Sequence, residues 1–136
     1  MSVWFLLLAL APTVAPAQPA GRYVAVTETE YQLELVLDRS GTARIKRHLW
    51  EADHSTADVR SSLKGHWVYR NDAVEVTFAP GKAASFRLVS CLSYAEFDGY
   101  GCSPGLKLIK TSLPARWGLE RFGLWRADLL RAGRGN

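Results

Sequence analysis

A chain of 136 residues suits a single domain. Its hydrophobic share of 48% and charged share of 22% exclude a disordered chain. The formal net charge of +4 comes with no nucleic-acid-binding motif, and its two cysteines have no neighbouring Cys or His at ligand spacing, so neither a nucleic-acid module nor a thiol metal site is expected.

The amino terminus differs from the rest. Val3 to Ala11 is a continuous apolar run, followed by small residues and prolines from Pro12 to Ala20. The run is shorter than the about 20 apolar residues a bilayer span needs. It fits the h-region of a secretory signal, with Ala15-Pro16-Ala17 as the cleavage site, although no Lys or Arg precedes it. The expected organisation is a signal peptide over residues 1–20 and one domain over 21–136, periplasmic or secreted. The alternative is an anchor that is never cleaved. No Cys ends the signal, so bacterial lipidation is not expected.

From Arg22 the chain alternates apolar and polar residues with period two, the pattern of strands with one buried face. Arg22 to Thr27 reads as a first strand with Tyr23 inward, and Thr27-Glu28-Thr29-Glu30 as a polar bend. Tyr31, Leu33, Leu35 and Leu37 share the buried face of the next strand. Asp38-Arg39-Ser40-Gly41 is a tight turn, because Asp bonds its own backbone and Gly accepts positive φ. In the return strand Thr42 to Trp50, Ala43, Ile45 and Leu49 face inward and Arg44, Lys46 and His48 face water. The polar stretch Glu51 to Arg60 reads as a loop at one end of the sheet. Ser61 to Arg70, the hairpin turn Asn71-Asp72 and Ala73 to Phe78 follow. Ala79-Pro80-Gly81-Lys82 is a further turn, and Ser85 to Leu92 a further strand with Phe86 and Leu88 on one face.

Phe97 to Gly105 reads as a glycine-rich loop and Leu106 to Thr111 as another strand. Export into an oxidising compartment pairs Cys91 with Cys102 in one disulfide across that loop. From Arg116 the pattern fits either a helix, with Gly118, Phe122, Trp125 and Leu129 near helical spacing, or a closing strand; the strand is preferred because Gly118 and Gly123 weaken a helix. Short strands joined by turns make the fold all-β, a small antiparallel meander forming a barrel or a sandwich.

Gly21-x-Tyr23, the Leu-x-Leu strand, the turn at Gly41, Gly65-x-Trp67 and Val74-x-Val76 together resemble a lipocalin-like small barrel. More closely, over Gly21 to Leu92, they resemble the N-terminal domain of the NlpE envelope-stress and copper-resistance lipoproteins. The resemblance implies a barrel in the bacterial envelope. It does not imply copper binding, because that family's lipid-attached Cys and Cys-x-x-Cys have no counterpart; the matching stretch here is Thr27-Glu28-Thr29-Glu30.

No catalytic site is expected. There is no Gly-x-Ser-x-Gly elbow, and Glu96 and Asp98 sit among turn residues. His48, Asp53, His54 and Asp58 match no metal-ligand spacing, and no cofactor is expected. Tyr23, Trp67, Tyr69, Phe78 and Phe86 have inward parity; they either fill the core or line a pocket at the barrel mouth for a lipid or other apolar ligand. Tyr94, Phe97 and Tyr100 on the disulfide loop either pack within the loop, the favoured reading, or form an edge for an envelope protein partner. The cations Arg116, Arg121, Arg126, Arg131 and Arg134 make the C-terminal end basic, fit either for solvation or for weak contact with a membrane surface. Two readings follow: a binding module for an apolar ligand or a partner protein, and a structural or stress-response envelope protein, or periplasmic enzyme inhibitor, without a small ligand; an enzyme ranks third, because no pair of groups announces itself.

Overall fold

The computed structural model describes residues 18–25, 31–49, 59–93, 101–114, 117–120 and 123–127. Eight strands follow one another in chain order: β1 (Gly21–Val24), β2 (Tyr31–Leu37), β3 (Thr42–Leu49), β4 (Val59–Arg70), β5 (Ala73–Ala79), β6 (Lys82–Ser93), β7 (Cys102–Thr111) and β8 (Leu124–Arg126). Each pairs antiparallel with the next, and β8 pairs back to β1, so the meander is a closed barrel rather than a sandwich. Closure removes the free sheet edges on which open β-sheets aggregate.

Period-two alternation sets the inside. Register places Tyr23, Leu35, Ile45 and Leu63 opposite one another across β1 to β4, on one interior row. Tyr23, Leu33, Leu35, Ile45, Val74 and Val76 are fully excluded from solvent, and Leu37, Phe86, Leu106 and Leu124 are 1% exposed. The segment between β7 and β8 adds Leu113, Trp117 and Leu119 to the same core. It is held near its start by the Ser112 hydroxyl, which accepts a bond from the Ala83 amide at 2.9 Å and donates to the Gly81 carbonyl at 2.8 Å.

The turns are those their residues demand. Asn71 and Asp72 both adopt positive φ, 53° and 62°, as a two-residue hairpin requires. In the β2–β3 turn the Gly41 amide donates to the Asp38 carbonyl at 2.9 Å, with Gly41 at φ 94°. Gly65 has a steric reason instead. A Cβ there would overlap the Thr77 carbonyl and the Phe78 backbone, where β4 passes closest to β5.

Several boundaries move. The first strand is shorter than read, ending at Val24. Val59 and Arg60 belong to β4 and not to the polar loop. Cys102 to Gly105 belong to β7 and not to a loop, because Ser93 pairs with Cys102 and Val89 with Gly105. The glycine at 105 marks a close approach of β8, whose Leu124 carbonyl would overlap a Cβ there. The C-terminal segment contributes a strand, of three residues, as preferred over a helix. The leader, the bend at 27–30, the stretch 50–58, the loop residues 94–100, and Arg116, Arg121, Phe122 and the end from 128 lie outside the described residues.

Candidate functional site

The barrel has two ends, defined by which turns lie there. The β2–β3 and β4–β5 turns and the entry to β1 lie at one end. The β5–β6 turn and the β7–β8 segment lie at the other. The aromatic residues singled out in the sequence divide between them. Tyr23 and Phe86 are sealed in the core, while Trp67 and Phe78 are partly buried against it. Tyr69 is 40% exposed and lies beside the β4–β5 turn, its hydroxyl 3.5 Å from the Asp72 carboxylate. Phe78 lies at the opposite end of β5, so these aromatics do not surround one mouth.

Two of the rings have polar anchors that explain their places. The Tyr23 hydroxyl donates to the Pro19 carbonyl at 2.6 Å, and the Arg126 guanidinium lies 6.0 Å above the Tyr23 ring. Arg126 also donates to the Ala20 carbonyl at 2.8 Å. One cation of the basic C-terminal end is therefore engaged at the β1–β8 seam. The Trp67 indole donates to the Asp38 carbonyl at 2.7 Å, tying β4 to the β2–β3 turn.

Arg47 was not singled out in the sequence, yet parity placed it on the face of Ala43 and Ile45. It is 8% exposed, stacks over the Trp117 ring at 5.4 Å, and lies 3.3 Å from the Ser61 hydroxyl. A charged residue at an inward position of an alternating strand is the signal that could have found it. An arginine this buried is held by partners, and here the β7–β8 segment brings one of them from a distant part of the chain.

The second feature is the disulfide. Cys91 and Cys102 are bonded, with Cα atoms 5.0 Å apart. β5 makes its last pair with β6 at Ala73–Arg87, and β8 reaches β7 no nearer to Cys102 than Gly105. The β6–β7 ribbon therefore overhangs its neighbours, and the disulfide sits in the overhang. Trp125 is 3% exposed and packs there, donating from its indole to the Leu92 carbonyl at 2.9 Å.

The third feature is on the outer wall. A cleft of about 440 Å³ lies over β2, β3 and β4, bordered by Gln32, Glu34, Lys46, His48, Arg60 and Ser62, with Arg47 and Ser61 also lining it. Of the four residues considered for metal, only His48 is described; it stands opposite Arg60 on this wall. His66 is exposed on the same face.

The fold and these features define the class: a small, disulfide-bonded, eight-stranded antiparallel barrel of lipocalin-like build. No protein-family model, curated protein or solved structure matches the chain.

Proposed function

We propose that the protein is an exported binding module of the bacterial envelope, without enzymatic activity, that engages a partner protein through the stapled β6–β7 ribbon. The observation that carries this is the overhang. Two strands extend beyond their neighbours and are cross-linked by Cys91–Cys102, and the chain between them carries Tyr94, Phe97 and Tyr100. A covalent staple lowers the ordering cost of an aromatic binding loop, and aromatic residues dominate interface energetics. The disulfide also favours an oxidising compartment. The likeness of Gly21-x-Tyr23 and Gly65-x-Trp67 to the NlpE N-terminal domain extends the proposal to the envelope.

The test is to replace Phe97 with a photo-reactive phenylalanine analogue and cross-link in the host. The proposal expects a discrete protein adduct that is lost when both cysteines are changed to serine. An absent adduct, or one indifferent to the cysteines, would refute it.

A second reading, an apolar ligand inside the barrel, is favoured by Arg47, whose guanidinium stacks on Trp117 at the inner face and would suit an acidic headgroup. Native mass spectrometry of protein from its own host separates the two. A co-purified lipid supports the interior ligand; the bare polypeptide mass counts against it.

A further inference from the structure

The residues just ahead of β1 belong to the fold. Pro19 is buried and Ala20 half-buried, while Gln18 is exposed. The Pro19 carbonyl accepts the hydroxyl of the fully buried Tyr23 at 2.6 Å, and the Ala20 carbonyl accepts the Arg126 guanidinium at 2.8 Å. That guanidinium also lies 6.0 Å above the Tyr23 ring. One side chain from β1 and one from β8 therefore grip consecutive carbonyls at the seam where the barrel closes. Two bonds here follow an alanine and are open to a leader peptidase, Ala17–Gln18 and Ala20–Gly21. The fold separates them. Cutting after Ala20 strips an acceptor from a buried hydroxyl and another from a guanidinium, and a buried bond is costly to leave half-made. It also creates an ammonium on Gly21 beside Arg126, two of whose nitrogens come within 3.3 Å of where a Gly21 Cβ would stand. Cutting after Ala17 keeps both carbonyls and puts the new terminus on an exposed residue. The small residues agree. Ala15 and Ala17 stand third and first before this bond, whereas the longer Gln18 stands third before the other.

We infer that the mature chain begins at Gln18 and that this glutamine is a modification site, closing into an N-terminal pyroglutamate. In the precursor the Gln18 nitrogen is an amide and cannot react. Processing turns it into an amine, which attacks the Cδ of its own side chain. The bond from the α-nitrogen to Cδ forms, the bond from Cδ to Nε2 breaks, and the proton given up by the amine leaves with Nε2 as ammonia. Nothing is oxidised or reduced, and no co-reactant is needed. Gln18 is exposed, so neither its amine nor its side chain has to leave a packed site to react. The ring removes the terminal positive charge from the end of the barrel where Arg126 already stands. A chain starting at Gly21 has no side chain with which to close such a ring.

The inference rests on the proposal that the chain is exported and is separate from the ribbon's partner. It is tested by expressing the full chain in its host and measuring the intact mass and the terminal sequence of the recovered protein at neutral pH. The expected product is the chain 18–136, lighter by one ammonia and closed to stepwise degradation from its amino end. Gln18→Ala should give the same start with a free, readable terminus. Ala20→Leu, which spoils the second site and keeps its carbonyl, should leave the start and the ring unchanged. A wild-type start at Gly21, or a start that moves when Ala20 is replaced, would overturn the inference while leaving export intact. A free amine that persists on Gln18 would overturn the modification. Recovery of the whole chain from Met1 is a different result, which refutes cleavable export and the inference with it.

Discussion

Leu35 and Glu34 are neighbours in sequence with opposite fates. Leu35 is fully buried between Tyr23 and Ile45, whereas Glu34 is on the outer wall, bonded to Arg22. Leu35→Ala should cost about 2–5 kcal/mol, since it opens a cavity in a closed core. Glu34→Ala should cost less than about 1 kcal/mol, the range of exposed ion pairs. Urea melts of the two variants measure the contrast, and equal midpoint shifts would contradict the assigned faces. Asp38 gives a second prediction. Its carboxylate accepts the Ser40 amide at 2.8 Å, and that backbone bond, with the Ser40 side chain adding to it, holds its pKa below the ordinary 3.8. The unfolded chain therefore binds a proton there more readily than the folded one. The contribution to stability is complete above the ordinary pKa and disappears as pH falls through the lower, folded value. Carboxyl titration followed by NMR should place Asp38 below the ordinary aspartate value, and Asp38→Asn should remove that share of the acid dependence.

Among the elements, β4 depends most on one residue. Gly65 lies where the strand passes against the Thr77 carbonyl and Phe78 backbone, so a methyl group there must push β4 and β5 apart. Gly65→Ala should destabilise by about 1–3 kcal/mol, the usual cost of overpacking, and a thermal melt measures it. A stable Gly65→Ala protein would mean that the two strands are less closely apposed. The β6–β7 ribbon is the other element with its own energetics. Its pairing shifts register between Val89 and Leu92, the kind of irregularity that bends a strand and re-aims its side chains. This explains how Leu92 comes to meet Trp125, a pairing that simple alternation along β6 does not predict.

At the scale of the molecule, the disulfide is the one covalent long-range constraint in the described residues. Cys91 and Cys102 are separated by 11 positions, so chain-entropy reasoning gives about 3 kcal/mol of stabilisation. Reduction, or the Cys91→Ser/Cys102→Ser pair, should lower the unfolding midpoint accordingly while far-UV circular dichroism remains that of a barrel. Loss of all strand signal would instead mean that the ribbon nucleates the fold. Alkylation with and without reductant verifies the thiol count.

Much of this barrel was determined locally. Alternation in Tyr31 to Leu37 and Thr42 to Leu49, the Asp38–Gly41 turn and the Asn71-Asp72 hairpin follow from rules that act over a few residues, and so the meander and its buried face were legible in the sequence. The pairing of the two cysteines was legible for a related reason, since there was a single way to join them. Tertiary structure alone decided the rest. Closure of β8 onto β1, the burial of Arg47 under Trp117, the dispersal of the aromatics to both ends, and the alignment of Arg44 with Lys64 all depend on contacts between residues far apart in the chain. A period of two states which face a side chain takes. The register between strands, set by turns and by the shape of the packed core, decides what stands opposite it.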